Sequence, residues 1–117
     1  MYTDEQLNKF RDIISGSKRA VFFGGAGVST ESGIPDFRSQ DGLYRQKYAY
    51  PPEYILSATF FRTHTAEFFD FYRDKMVYPS ARPNAAHIKL AQWEREGRLA
   101  AVITQNIDGL HQKAGSK

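Results

Sequence analysis

The chain has 117 residues, and its 41% hydrophobic and 15% aromatic residues supply enough apolar side chain for the core of one small domain. Lys and Arg number 16 against 13 Asp and Glu, without a basic run that could follow a phosphate backbone, so nucleic acid is not an expected partner. Cysteine is absent, which excludes disulfides and thiolate metal ligands within these residues. The polar start MYTDEQLNKF is unlike a signal peptide, and no apolar run approaches the roughly 18 residues of a membrane span. We expect a soluble cytoplasmic protein without a membrane partner.

The first half of the chain predicts a helix, a strand and a long irregular segment. Thr3 begins a capping box, after which apolar residues recur at helical spacing until Gly16. Residues 20–23 form a short apolar run that stops at two glycines, a pattern typical of a strand buried on both faces. Glycines and prolines are spread over residues 33–52, which predicts a long loop there.

The second half predicts more helices and a second strand. Residues 57–77 carry aromatic side chains at helical spacing, which indicates one or two helices packed on a core. A further helix is expected to begin at Asn84 and to end at Gly97. Residues 99–104 read as a second buried strand, and residues 109–114 as a short helix closed by the following glycine.

This order of elements predicts an α/β protein. A strand, helices and a second strand form a βαβ unit, so the two strands should be parallel, in a partial Rossmann-like three-layer fold with helices covering the sheet. Two strands are too few for both helix layers, and we therefore expect the fold to be incomplete at its C-terminal side. Unpaired strand edges and uncovered apolar helix faces also predict self-association.

A glycine-rich turn follows the first strand directly. Gly25, Ala26 and Gly27 lead toward a short helix, where backbone N–H groups without a side chain in front of them can approach an anion. A dinucleotide is the natural ligand of such a turn. The G-x-G-x-x-G fingerprint is incomplete, because Thr30 stands where its third glycine would be. The turn alone is therefore compatible with a phosphate site or with a purely structural role.

Two longer motifs extend this pattern. SGIPDFR at residues 32–38 follows the glycine turn, and TQNIDGLH at residues 104–111 follows the second strand. With these motifs the chain resembles the sirtuins, whose two NAD-binding signatures are GAGxSxxSGIPDFR and TQNIDxLH. RPNAAH at residues 82–87 resembles the KPNxAH helix start of that family, whereas Gly24 departs from it, since many members carry Thr there. The resemblance runs from the first helix to Lys117 and identifies the chain as the N-terminal part of a sirtuin domain.

The resemblance implies NAD as the cofactor and a defined set of residues that bind it. These residues are Gly25, Ala26, Gly27, Ser29, Ile34, Asp36, Phe37, Arg38, Gln105, Asn106, Ile107 and Asp108. The glycines would hold the pyrophosphate with Arg38 nearby, and Gln105 would reach the nicotinamide ribose. Asn106 and Asp108 would line the nicotinamide pocket and support catalysis. Ile34 and Phe37 would shape the pocket, and Phe37 would shield the reacting ribose carbon from water.

The resemblance also implies an activity. Sirtuins are NAD-dependent protein lysine deacetylases or deacylases, which cleave NAD to nicotinamide and transfer the acyl group of an acyl-lysine protein or peptide to ADP-ribose. The family's catalytic histidine belongs to an E-x-H-G stretch that would lie beyond Lys117, as would four zinc-binding cysteines. The zinc module and the second half of the Rossmann domain are therefore expected outside residues 1–117, so that this chain alone would contain no catalytic histidine and would be inactive.

Other interpretations stay open at this point. Asp36 and Asp108 could cap helices or turns, Arg38 could form a surface ion pair, and Phe37 could anchor a loop on the core. Two other functions are a nucleotide-binding module of another Rossmann-type family, and an interaction domain that binds through the aromatic residues of 57–77. The three histidines, His64, His87 and His111, lack metal-ligand spacing, and we assign no metal to this chain.

Overall fold

The computed structural model describes all residues from Met1 to Lys117. Its helices are α1 (Asp4–Gly16), α2 (Pro52–Ile55), α3 (Ala58–Thr63), α4 (Thr65–Lys75), α5 (Ala85–Arg95) and α6 (Leu110–Ala114), and its strands are β1 (Ala20–Gly24) and β2 (Leu99–Thr104). Two 3₁₀ helices span Ala26–Ser32 and Leu43–Arg45. None of the helices combines the length and the apolar character that crossing a membrane requires.

The two strands are parallel neighbours, as the βαβ pattern predicts. Phe22 pairs with Val102, and Gly24 pairs with Thr104 at the last position of each strand. Because both strands run in the same direction, the segments that follow them leave the sheet at one edge. The predicted partial Rossmann-like α/β class is thereby confirmed, and the glycine turn lies beside the segment after β2.

The helix ends follow the local signals in the sequence. The Oγ1 of Thr3 accepts from the N–H of Gln6 at 3.2 Å, and the Oε1 of Gln6 accepts from the N–H of Thr3 at 3.0 Å, which completes the predicted capping box. Asn84 caps α5. Gly115 ends α6 in the left-handed region with φ of 108°, where a side chain would be strained.

The main apolar cluster lies between the long irregular segment and helices α2 to α4. Leu43, Ile55, Phe60 and Phe71 are its buried members. Since Leu43 belongs to the predicted loop 33–52, this loop is anchored on the core. The aromatic segment 57–77 forms two helices and is only partly buried, because Phe61 and Phe69 of the same helices remain about 40% exposed.

One face of the strand pair is open. Val21, Phe23 and Ile103 point away from α5 and are 57%, 65% and 50% exposed, and α1 has no buried residue. The prediction that the first strand is buried on both faces is wrong, because Val21 and Phe23 on that face are not buried. The expected uncovered apolar surfaces are confirmed. The chain is also less compact than usual. Its radius of gyration is 17.2 Å, compared with about 13 Å for a compact domain of this length.

Candidate functional site

The glycine turn and the segment after β2 contact each other directly. The N–H of Gln105 donates to the carbonyl of Gly24 at 3.0 Å, and the Nδ2 of Asn106 donates to the carbonyl of Gly25 at 3.0 Å. The two motifs are about 80 residues apart in the chain, and the parallel sheet brings them together. The site residues predicted on both segments therefore belong to one region.

The backbone of the glycine turn is accessible. A Cβ built on Gly27 would meet no atom within 4 Å, and the φ of Gly27 is not positive, so the fold itself does not require glycine there. A Cβ on Gly25 would lie 3.0 Å from the Oε1 of Gln105. The N–H groups of Ala26 and Gly27 precede the first donor of the 3₁₀ helix and have no acceptor in the protein. The turn thus presents free N–H groups at an uncovered backbone.

A buried hydroxyl lies at the centre of the polar contacts. Ser29 is fully buried, and its Oγ donates to the Oδ2 of Asp108 at 2.6 Å. The same oxygen accepts from the Nδ2 of Asn106 at 3.3 Å and lies 3.4 Å from the Nε2 of His87. A hydroxyl has one hydrogen and two lone pairs, so these three contacts use its full capacity. Ser29, Asn106 and Asp108 are consequently fixed relative to one another.

The hydrogen bond that Nδ1 of His87 accepts determines which group donates in the contact between Nε2 and Ser29. The N–H of Asn84 donates to the Nδ1 of His87 at 3.2 Å, so the proton of the neutral ring is assigned to Nε2, which donates to Ser29. Burial lowers the pKa of His87 below its usual value, and the nearby His111 lowers it further, against an opposing effect of Asp108. A neutral His87 therefore fits this hydrogen-bond pattern.

Asn84 connects α5 to the 3₁₀ helix after the glycine turn. Its side-chain oxygen accepts from the N–H groups of the first turn of α5, and its Nδ2 donates to the carbonyl of Val28 at 2.8 Å and to the Oγ of Ser32 at 3.1 Å. His87 was not among the predicted site residues. The signal for it was the RPNAAH motif, in which a histidine stands three residues after the helix cap.

A cavity of about 230 Å³ adjoins this network. Eight of the predicted site residues line it, namely Ala26, Ser29, Ile34, Phe37, Gln105, Asn106, Ile107 and Asp108. The sequence interpretation missed Lys75, Met76 and Tyr78, which line the same cavity from the end of α4 and the residues after it. Burial raises the pKa of Tyr78, and the charge of Asp74 adds to this effect. The cavity has a mainly apolar wall and a polar end.

Of the other four predicted residues, Gly25 and Gly27 belong to the glycine turn, and Asp36 and Arg38 lie around a second depression of about 290 Å³, which is also lined by Phe37, Tyr44 and Gln105. The Oδ1 of Asp36 accepts from the N–H of Ser39 at 3.1 Å, so Asp36 has the turn-capping role that was one of its two interpretations. Arg38 is exposed and forms no ion pair in the structure. Its guanidinium group is thus available to an anion.

The loop that carries Phe37 and Arg38 is closed tightly. The N–H of Leu43 donates to the carbonyl of Asp36 at 2.6 Å, and the N–H of Tyr44 to that of Phe37 at 2.8 Å. A Cβ on Gly42 would come within 2.8 Å of the carbonyl carbon of Phe37 and 2.9 Å of the nitrogen of Arg38. Glycine at position 42 therefore permits the close approach that shapes this loop.

Asp108 and Phe37 line the cavity and also make the structural contacts that the sequence left open as alternatives. Asp108 accepts from Ser29 through Oδ2 and caps α6 through Oδ1, to which the N–H of Leu110 donates at 2.9 Å. Phe37 lines the cavity and also packs against the apolar cluster around Leu43. The structure holds no group of three or more His, Asp or Glu side chains placed to share a metal ion.

An accessible glycine turn and a polar segment at the carboxyl ends of neighbouring parallel strands define the class, a Rossmann-like α/β protein with a dinucleotide-type site. Residues 25–117 match the Sir2 family, and the chain belongs to this family, the sirtuins. The predicted membership is confirmed. A nucleotide-binding module of another Rossmann-type family is thereby excluded.

Several known proteins are similar to this chain over nearly all of its length. An NAD-dependent protein deacetylase of Clostridium acetobutylicum is 59% identical over 115 residues, which are 97% of this chain and 47% of that protein. A solved structure from work on the mechanism and regulation of Sir2 enzymes has a TM-score of 0.88 and 45% identity, over 98% of this chain and 44% of its own. A Sir2 variant with a deacetylated p53 peptide and 3′-O-acetyl ADP ribose has a TM-score of 0.85 and 45% identity, over 95% of this chain and 44% of its own. The chain spans about half the length of these relatives.

Proposed function

We propose that the protein to which this chain belongs is an NAD-dependent protein lysine deacylase, which releases nicotinamide from NAD and transfers the acyl group to ADP-ribose. The observation that carries this proposal is the buried Ser29 hydroxyl, bonded to Asn106 and Asp108 at the polar end of a cavity beside an open glycine turn. The name of the clostridial relative and the acetyl ADP ribose in the related Sir2 complex support the same reaction.

The residues of the glycine turn fit the pyrophosphate of NAD. The N–H groups of Ala26 and Gly27 are free, and the open space in front of Gly27 admits an anionic group close to the backbone. Arg38, which has no ion-pair partner in the chain, lies on the adjoining depression and would add a positive charge. Gln105 lies between the two regions, since it borders both the depression and the cavity, and would contact the nicotinamide ribose.

The cavity fits the nicotinamide end. A carboxamide needs partners for its N–H and C=O groups, and Asn106 and Asp108 supply an amide and a carboxylate at the polar end. NAD supplies the glycosidic bond that breaks, and positive charge develops on the ribose as it breaks. The carboxylate of Asp108, held by Ser29, would stabilise this charge, while Phe37 and Ile34 would exclude water.

The rest of the reaction is assigned to residues outside this chain. We expect the catalytic histidine, the zinc module and the second half of the Rossmann domain there, and an acyl-lysine protein or peptide as the substrate. Residues 1–117 alone are then inactive, and the open face of their strand pair favours self-association. Zinc and a cytoplasmic location stay predictions.

The test is nicotinamide release by the full-length protein with an acetyl-lysine peptide, compared with the unacetylated peptide. We expect release only with the acetylated peptide, and Gly27→Val should raise the KM for NAD by about 10- to 100-fold, because its side chain occupies the space for the pyrophosphate. Gly16→Val is the matched control, since a Cβ at Gly16 also meets no atom within 4 Å but lies at the end of α1. Failure of the wild-type protein to release nicotinamide, or equal effects of the two valines on KM, would contradict the proposal.

A further inference from the structure

His111 is a buried imidazole that has no role in the reaction proposed above. It lies on α6, is 2% exposed, and is in contact with two other rings. Its ring centroid is 5.9 Å from that of Phe22 on β1 and 4.8 Å from that of His87 on α5, and the two imidazole planes meet at 64°. Neither ring nitrogen of His111 has a hydrogen-bond partner in the protein. The ring therefore acts on its neighbours through contact rather than through a hydrogen bond.

Helix α6 supports the Ser29 hydroxyl network from two directions. Asp108 caps the helix through Oδ1 and accepts from Ser29 through Oδ2. His111, one turn further along the chain, packs edge to face against His87, whose Nε2 donates to the same hydroxyl. This short helix thus holds both Asp108, which accepts from the Ser29 hydroxyl, and His87, which donates to it.

The ring of His87 needs such a second support. Its Nδ1 is held by the N–H of Asn84, but the contact of Nε2 with Ser29 is long, at 3.4 Å, and is too weak to fix the ring plane alone. Rotation of the ring about its terminal torsion would turn Nε2 away from Ser29, because that torsion has a broad energy minimum. The edge-to-face contact with His111 restricts this rotation.

We propose that His111 is a positioning residue, whose ring holds His87 so that Nε2 faces Ser29, and that it acts through the shape of the ring and not as an acid or base. The consequence for nicotinamide release rests on the proposed function, whereas the orientation of His87 does not. The ionisable groups that influence this pair are Asp108 and Glu94. Burial lowers the pKa of His111 as it does that of His87, so both rings are neutral near pH 7.

The test uses four variants of the full-length protein. His111→Phe keeps an aromatic ring without nitrogens, and His111→Ala and His111→Leu remove the ring. His64→Ala is the matched control, because His64 stacks on Phe60 at 4.7 Å and does not contact the network. Ring ¹⁵N NMR reports which nitrogen of His87 carries the proton, and nicotinamide release reports kcat and KM for NAD.

We expect His111→Phe to keep the Nε2 proton on His87 and near wild-type release. His111→Ala and His111→Leu should give mixed His87 tautomers and lower kcat by about tenfold, with little change in KM, because the network is displaced without loss of cofactor contacts. The His87 pKa should rise in all three variants at position 111, since the neighbouring titrating ring is removed. His64→Ala should change none of these values.

Two results would overturn the proposal. The first is an unchanged His87 tautomer in folded His111→Ala or His111→Leu, and the leucine variant serves this purpose if the alanine variant does not fold. The second is a loss in His111→Phe as large as in His111→Leu, which would assign the role to the nitrogens. If the wild-type protein releases no nicotinamide, the proposed function fails, but the NMR comparison still decides the role of His111.

Discussion

The carboxyl-terminal edge of the strand pair and its open face are built in opposite ways. At the edge, polar groups from distant parts of the chain are paired with one another, as in the bonds from Ser29 to Asn106 and Asp108 across 77 and 79 residues. On the open face, Val21, Phe23 and Ile103 have no layer packed against them. The same two strands thus carry a polar network at their carboxyl ends and an exposed apolar surface on one face.

The difference follows from what each kind of group costs when it is left without a partner. An unpaired polar group in a buried place costs about 1 to 3 kcal/mol. The buried Ser29 hydroxyl has all of its partners within this chain, whereas the ring nitrogens of the adjacent His111 have none. An exposed apolar side chain loses only the free energy that its burial would contribute, and the strand pair forms without that contribution. The site geometry is therefore encoded in this chain, while the cover of the open face is not.

The largest expected effect separates the two functions of Asp108. In the full-length protein, Asp108→Ala should lower the kcat of nicotinamide release by about 100-fold or more, because the carboxylate that we propose to stabilise the developing charge is lost. Asp108→Asn keeps an oxygen that can accept from the N–H of Leu110 but removes the charge and the acceptor of the Ser29 hydroxyl, so it should recover part of the stability that alanine loses and none of the activity. Activity is followed by nicotinamide release and stability by urea unfolding.

Asn106→Ala extends the same comparison. Its amide bonds both Ser29 and the carbonyl of Gly25, so its loss should lower nicotinamide release far more than it lowers the free energy of unfolding. Wild-type turnover in either alanine variant would remove Asn106 or Asp108 from the proposed nicotinamide pocket. A loss of activity that only parallels a loss of folded protein would assign them a structural role.

The sequence predicted those features that depend on neighbouring residues. The caps at Thr3, Asn84 and Gly115 are local hydrogen bonds or local backbone conformations, and each was found where its motif lies. The contact between the two motifs is a consequence of the parallel pairing that the order of elements predicted. The closure of the loop around Gly42 was not predicted, because it depends on how closely Phe37 and Arg38 return to it in space.

The errors and omissions concern long-range packing. His87 was missed because its contact with Ser29 joins residues 58 positions apart, and Lys75 and Tyr78 were missed because the end of α4 reaches the cavity only after folding. The apolar run of β1 shows that the strand is able to bury two faces. It does not show whether this chain supplies the elements that pack on both faces, and Val21 and Phe23 remain exposed.

A smaller effect is expected on the open face. The isolated 117-residue chain should self-associate, and Ile103→Lys should shift its apparent mass in light scattering toward that of one chain, because a charge on this face opposes contact. Ile88→Lys is the matched control, since Ile88 is 54% exposed, compared with 50% for Ile103, but lies on α5. A wild-type chain that is monomeric at all concentrations, or equal effects of the two lysines, would show that this face does not mediate association.

The smallest effect is a pH dependence of stability that arises at the polar edge. The pKa values of His87 and His111 are lowered in the folded protein, mainly by burial, so below the ordinary value of 6.5 the unfolded chain binds protons that the folded chain does not. Above pH 6.5 both states are neutral and these rings contribute nothing to the pH dependence.

As the pH falls below 6.5, the free energy of unfolding should therefore decrease, until the folded rings also take up protons. The measurement is urea unfolding of the full-length protein at pH 7.5 and 5.5, with His111→Phe to remove one of the two titrating rings. That variant should lose less stability on acidification than the wild-type protein. His64→Ala should lose as much as the wild type, because His64 stacks on Phe60, away from the Ser29 network. A His111→Phe protein as acid-sensitive as the wild type would mean that the buried His111 ring does not carry this dependence.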